Sequence, residues 1–209
     1  MYCVIVANGE FCTHKIPLKT LKNANFIIAC DGAANELLNN KIEPNVIIGD
    51  LDSLNDIKTN AKIIKIKNQS TNDLTKAVKY ALSLKYEKVY ILGAGGKRDD
   101  HFIANISLLI QYFGLKNKYK KIVDFVMQTN FGEFFVSNDD YAKNSFKGQK
   151  ISFFCLDKNA KFSSNNLKYE LKNYRFKELN LGTLNESLDD NFGIINHNKA
   201  RLLTYINFE

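Results

Sequence analysis

A chain of 209 residues, 45% hydrophobic and 24% charged, has the balance of an ordinary soluble globular protein and can bury a core as one large domain or two small ones. No apolar run approaches the roughly 20 residues that span a bilayer, which argues against a membrane protein. The formal charge of +7 comes mostly from lysines scattered along the whole chain, with no arginine-rich block or RNA-binding aromatic signature, so it argues against nucleic acid and suits capture of a small anionic substrate.

Residues 1–7 lack a basic leader and read as the start of a buried strand, not a signal peptide. Cys3, Cys12, Cys30 and Cys155 show no CxxC or Cys/His metal spacing, so buried, reduced thiols in a cytoplasmic protein are expected. Short apolar strands are predicted at 2–7, 26–30, 46–48, 63–66, 88–92 and 122–127, with helices at 33–40, 72–84 and 100–113. In the second helix Leu74, Ala77, Val78, Ala81 and Leu82 form one apolar stripe, and Asn72 or Thr71 stands where a cap is needed. This alternation predicts an α/β domain over residues 1–130, a doubly wound, mostly parallel, Rossmann-like sheet. Beyond residues 116–121 the texture changes. Strands are predicted at 133–136, 151–155, 169–171, 192–195 and 201–206, with residues 196–199 as a hairpin turn between the last two. Residues 131–209 therefore read as a small all-β sandwich domain.

In an open parallel sheet, ligands gather at the carboxyl ends of the strands, and there the acids of this sequence fall. Asp31 follows the second strand. Asp50 and Asp52 follow the third, directly behind Gly49. In extended chain, residues i and i+2 point to one side, so both carboxylates would project together. Two such charges repel and resist desolvation, which calls for a cation; an oxygen-only set favours Mg²⁺ shared with phosphates over zinc. Asp73 and Asp100 open the next two helices. Alone, Asp31, Asp73 or Asp100 fits a capping role, but the repetition of acids at equivalent strand ends points to a site.

Residues 93–101, Gly-Ala-Gly-Gly-Lys-Arg-Asp-Asp-His, supply a phosphate half. Gly96 and its neighbours let backbone N–H groups approach an anion, while Lys97 and Arg98 can neutralise charge on transferring oxygens. The run is neither a Walker A loop nor a GxGxxG fingerprint. Asp73 and Lys76, three apart, share one helical face; they read either as a metal acid beside a phosphate lysine or as an exposed intrahelical ion pair.

Asp31-Gly32-Ala33-Ala34-Asn35, residues 44–53, Gln69 to Asp73 with Lys76, and residues 93–101 with Asn105 together resemble the thiamine pyrophosphokinase family in order and spacing. The later part is similar more weakly, residues 167–171 to an aromatic-bearing strand and 182–186 to a Gly-x-Ser-Asn-Glu segment. The resemblance implies an N-terminal domain binding Mg·ATP, a C-terminal thiamine-binding and dimerisation sandwich, and a homodimer with thiamine held between subunits. It implies Asp50, Asp52 and Asp73 as the magnesium site, with Arg98 and Asp100 also catalytic. Asp31, Asn35, Gln69, Lys76, Gly96, Lys97, Arg98 and Asn105 would line the ATP and phosphate pocket, and Tyr169 and Asn185 would meet thiamine. Four positions depart from the family pattern: Lys97 replaces a second glycine, Asn68 and Ser70 flank Gln69 where acids are common, and Leu184 replaces the serine of the thiamine segment. The implied reaction moves pyrophosphate from ATP to the thiamine hydroxyl, giving thiamine diphosphate and AMP. The competing readings are a Mg²⁺-dependent pyrophosphokinase or kinase on another small alcohol, and a nucleotide-binding sensor without turnover.

Overall fold

The computed structural model describes residues 1–53, 58–67 and 70–209. The chain divides into two compact units, Met1–Asn130 and Phe131–Glu209.

The first unit contains β1 (Cys3–Val6), α1 (Lys15–Lys22), β2 (Phe26–Cys30), α2 (Ala33–Asn39), β3 (Val46–Gly49), β4 (Lys62–Lys65), α3 (Asp73–Leu82), β5 (Lys88–Leu92), α4 (Asp99–Tyr112) and β6 (Asp124–Gln128). Its strands run in the order β6-β5-β1-β2-β3-β4, and every pairing is parallel. Apart from the exposed edge strand β4, the strands are short apolar runs with both faces covered, as parallel sheets require. Val4, Val6, Ile27, Ala29 and Ile47 pack with Leu21 of α1 and Leu37 of α2. The alternate residues Cys3, Ile5, Ile28 and Ile48 are equally buried, and α3 packs against β1, β2 and β3 with Leu74, Ala77, Val78 and Ala81 inward. The predicted doubly wound α/β sheet is what the chain forms. Its strand order reverses between β1 and β5, which makes their carboxyl ends the crevice for a ligand.

Sequence reasoning missed α1. No Ser, Thr, Asp or Asn caps it; the His14 ring nitrogen Nδ1 accepts from the Ile16 N–H at 3.3 Å instead. The preceding turn is held from far along the chain, where Asn130 Oδ1 accepts from the Thr13 and His14 N–H groups and its amide donates to the Phe11 carbonyl. The sixth strand starts later than predicted, at Asp124, and Ile122 is 63% exposed.

The second unit holds β7 (Gly132–Ser137), β8 (Tyr141–Asn144), β9 (Lys150–Cys155), β10 (Phe162–Asn165), β11 (Asn185–Glu186), β12 (Asn191–Asn196) and β13 (Leu202–Asn207). One antiparallel sheet runs β11-β9-β13-β7 and a second runs β10-β12-β8. Aromatic side chains fill the space between them: Phe153 of β9 meets Phe192 of β12, and Phe135 of β7 meets Tyr141 of β8 edge-on. The Tyr141 hydroxyl bonds the Thr204 hydroxyl of β13 at 2.6 Å, satisfying both groups inside this core.

Two strand-level expectations are corrected. Residues 169–171 form no strand; they are a loop laid beside β10, with the Ser164 N–H donating to the Leu171 carbonyl. Residues 196–199 do turn the chain, with the Asn196 amide bonded to both polar groups of the Ala200 backbone, but they make no hairpin. The strand before the turn belongs to one sheet and the strand after it to the other, because β13 finds its partners in β7 and β9.

Candidate active site

The acidic half of the site is built at the carboxyl ends of β2 and β3. Asp31 continues β2, its N–H donating to the Ile48 carbonyl at 2.9 Å, and its side chain is only 3% exposed. Its neighbour on β3 is Gly49 because a Cβ there would lie 2.6 Å from Asp31 Cβ. Gly49→Ala is therefore expected to push Asp31 out of place and to lower both stability and activity. The stability loss should be about 1–3 kcal/mol by denaturant melts, the usual cost of overpacking.

Past Gly49 the chain turns. Leu51 has φ +67°, so residues 50–52 are not extended and the same-side argument for Asp50 and Asp52 does not hold. The Asp52 carboxylate is exposed and accepts from the Ser53 hydroxyl at 2.9 Å. The turn is pinned back to the β2–α2 corner: Asp31 Oδ2 accepts from the Ser53 N–H, and the Asn35 amide donates to the Ser53 carbonyl at 2.8 Å. As a result Asp31, rather than Asp52, joins Asp50 and Asp73. One carboxylate oxygen from each of these three lies within 4.8 Å of the others.

Burial pushes the Asp31 carboxyl up to about 6, and the neighbouring Asp50, Asp52 and Asp73 push in the same direction against the Ser53 N–H. Its Oδ1 is buried and has no hydrogen-bond partner. A buried carboxylate oxygen left without a partner, on a residue clustered with two other acids, is a group in need of a cation.

Asp73 opens α3, whose start is capped by Asn72 Oδ1 accepting from the Thr75 N–H at 2.9 Å. Lys76, one turn on, is 5% exposed and its Nζ lies 2.7 Å from Asp73 Oδ1. The ammonium is thus buried while the Asp73 carboxylate keeps 32% of its surface exposed, so the pair is half-buried and lies between a solvated surface bridge and a core ion pair.

The opposite wall is the Gly93–Arg98 loop. Gly93 and Gly96 have φ +64° and +85°, conformations that glycine adopts freely. The Gly9 N–H donates to the Gly93 carbonyl at 2.6 Å and the Glu10 N–H to the Gly95 carbonyl at 2.7 Å, so the loops after β1 and β5 brace each other. Asn105 on α4 donates to the Ala94 carbonyl at 2.8 Å. Between the walls lies a cavity of about 370 Å³, lined on one side by Asp50, Asp73 and Lys76 and on the other by Gly93–Gly95, Lys97, Arg98 and Asn105.

The remaining expected residues fall in several places. Gln69 lies outside the described residues. Asn35 serves the turn at Ser53 and Gly96 the bend of its loop. Asp100 does not join the acid cluster: its two oxygens accept from Arg98 Nε and Nη2 at 3.1 and 2.6 Å, with both side chains 65% exposed. The Arg98 guanidinium holds the Asp100 carboxyl down at about 2, so at neutral pH Asp100 is a poor proton acceptor. In the second unit, Asn185 is buried and its amide is spent on the backbone, bonding both the N–H and the carbonyl of Tyr169 and the Glu186 N–H. It holds Tyr169, a residue 58% exposed. Leu184 sits at φ +73° with 82% of its surface exposed.

Sequence reasoning missed Asn8 and Gly9, which line the cavity from the end of β1. An Asn-Gly pair directly behind the first apolar strand was the available signal. It also missed Cys30, a lining residue whose thiol is pushed up by burial and so stays protonated.

Two family models match the chain. The one described as thiamin pyrophosphokinase, catalytic domain, covers residues 18–123, and the one described as thiamin pyrophosphokinase, substrate-binding domain, covers residues 132–205. Thiamin pyrophosphokinase 1 of Caenorhabditis elegans is 38% identical over a stretch covering 43% of this chain and 41% of the relative, so the match spans under half of that relative's length. The crystal structure of thiamine pyrophosphokinase from Bacillus subtilis superposes over 100% of both chains with a TM-score of 0.82 at 20% identity. Thiamin pyrophosphokinase from Candida albicans superposes over 100% of this chain and 89% of that one, with a TM-score of 0.80 at 18% identity. These structures share the fold, and the family models cover both units: the chain belongs to the thiamin pyrophosphokinase family.

Proposed function

We propose that the protein transfers pyrophosphate from ATP to the primary hydroxyl of thiamine, giving thiamine diphosphate and AMP. The observation that carries this reading is one cavity with two walls at the sheet's reversal point: an acid cluster with a buried lysine, and a glycine-rich loop bearing Lys97 and Arg98. Residues 1–130 would bind Mg·ATP, and residues 131–209 would bind thiamine and support a homodimer. Exposed apolar side chains in each unit, Ile103 at 71% and Leu184 at 82%, are consistent with a further surface to bury.

The residues present fit a magnesium ion. The donor set is all oxygen, and the orphaned Asp31 Oδ1 lacks a partner that a cation would supply. Asp31, Asp50 and Asp73 would hold it, Asp31 taking the place expected of Asp52. Bound there, Mg²⁺ supplies charge neutralisation on the phosphate oxygens. The loop N–H groups, Lys97 and Arg98 orient the triphosphate and stabilise the moving pyrophosphoryl group. The hydroxyl oxygen of thiamine forms a bond to the β-phosphorus as the bond from that phosphorus to the α–β bridging oxygen breaks. AMP departs with that oxygen, and the hydroxyl proton passes to solvent. The exposed Tyr169, held by Asn185, offers its ring to the thiamine cation.

No described helix is long and apolar enough to cross a membrane, and the four cysteines are free and buried, which suits a reducing cytoplasmic setting. A second reading, transfer to another small alcohol, rests on Leu184, an exposed leucine where the family segment has a hydroxyl. Incubation of the purified protein with ATP, Mg²⁺ and thiamine should yield AMP and thiamine diphosphate in equal amounts. AMP without the thiamine product would favour the second reading. ATP binding with no AMP would leave a sensor.

A further inference from the structure

We propose that Lys76 is the resident counter-cation of the acid cluster, and that it yields Asp73 to the divalent ion and turns to the nucleotide's phosphates. This rests on the magnesium reading above and adds an exchange of cations to it. Among the described residues Lys76 is the one buried lysine or arginine, 5% exposed, and its Nζ is bonded to Asp73 Oδ1 at 2.7 Å. Asp73 is also one of the three acids whose oxygens lie within 4.8 Å of one another. A single ammonium is therefore bonded to one acid of the cluster that a divalent ion would occupy. It does not complete the neutralisation, because Asp31 Oδ1 is left without a partner.

The lysine stem makes the exchange possible. Its four flexible carbons carry a compact point charge that can be re-aimed without moving α3. Lys76 lines the same cavity as Gly93, Gly95 and Lys97, so an ammonium released from Asp73 remains beside the space that the phosphates would enter. Ammonium and metal compete for Asp73 when no nucleotide is present; with nucleotide bound, each has its own anion. A lysine that stayed on Asp73 would repel the metal through its charge alone but would add nothing to nucleotide binding, and unchanged nucleotide affinity in the neutral variants would overturn the exchange.

The test is direct titration of nucleotide-free protein with Mn²⁺, read by electron paramagnetic resonance, on wild type, Lys76→Met and Lys76→Gln. Melting curves would confirm that each variant is folded, and the glutamine variant keeps a polar partner for Asp73 should methionine not be tolerated. Loss of the competing charge should tighten Mn²⁺ binding about tenfold in the neutral variants, as expected for a unit charge within a few ångströms. The same variants should bind α,β-methylene-ATP more weakly in the presence of Mn²⁺. Unchanged or weaker Mn²⁺ binding in the folded neutral variants overturns the exchange. If wild type itself binds no Mn²⁺, and Asp50→Asn makes no difference, the magnesium reading fails and the exchange fails with it.

Discussion

Asp50→Asn should lower the formation of AMP and thiamine diphosphate by about a hundred- to a thousandfold while leaving the protein folded. Asp50 lies in the cavity, in the acid cluster with Asp31 and Asp73. A metal that neutralises phosphate charge is worth several kcal/mol of barrier, and about 1.4 kcal/mol is tenfold in rate. The substitution is nearly isosteric and removes a repelling charge beside a buried carboxylate, so the melting temperature without metal should hold or rise. The comparison that gives the experiment its force is Asp52→Asn. That side chain is exposed and engaged with the Ser53 hydroxyl, so its loss should cost much less. Equal losses in the two variants would restore Asp52 to the metal site.

The sequence was most legible where local pattern and tertiary role coincide. Strands such as Cys3–Val6 and Phe26–Cys30 are apolar because both faces of a parallel sheet are covered, and the α3 stripe at Leu74, Ala77, Val78 and Ala81 is apolar because one face packs. The acids could be placed at the strand ends for the same reason. Their selection could not, because a single left-handed residue, Leu51, decides whether Asp50 and Asp52 point together. A leucine gives no sequence signal for that conformation. Distant partners hid other features. Helix α1 depends on Asn130, over a hundred residues away, and the pairing of β13 with β7 and β9 is invisible to a reading that sees only a turn between neighbours. Lys76 showed the same limit: its spacing from Asp73 gave the ion pair, but only the packing of α3 onto the sheet buried its ammonium end.

Asp31→Asn should make the metal-free protein more stable at pH 7.5 than wild type, and the gap should close on acidification. The Asp31 carboxyl, 3% exposed, is pushed from 3.8 to about 6, so the folded state holds a proton that the unfolded chain releases between those values. A raised carboxyl contributes its full share of stability below pH 4 and loses it as pH climbs through 6, because the native state then binds more protons than the unfolded one. With 1.36 kcal/mol per unit, the penalty on ionised Asp31 above pH 7 is about 3 kcal/mol as an upper order of magnitude. Asparagine carries no such charge. Its carbonyl can still accept from the Ser53 N–H, and its amide can donate toward Asp50 where two acids now repel. For a chain of this size the gain corresponds to roughly 5–10 °C in melting temperature. Circular dichroism melts of both proteins from pH 4 to 8, in chelator and then in excess Mg²⁺, would measure it. Mg²⁺ should raise the wild-type melting temperature and raise that of Asp31→Asn far less, since the variant has lost a metal ligand and the repulsion that metal relieves. A stability gap that is the same at every pH would sink the account of Asp31 as a strained, ionised carboxylate held in place for a cation.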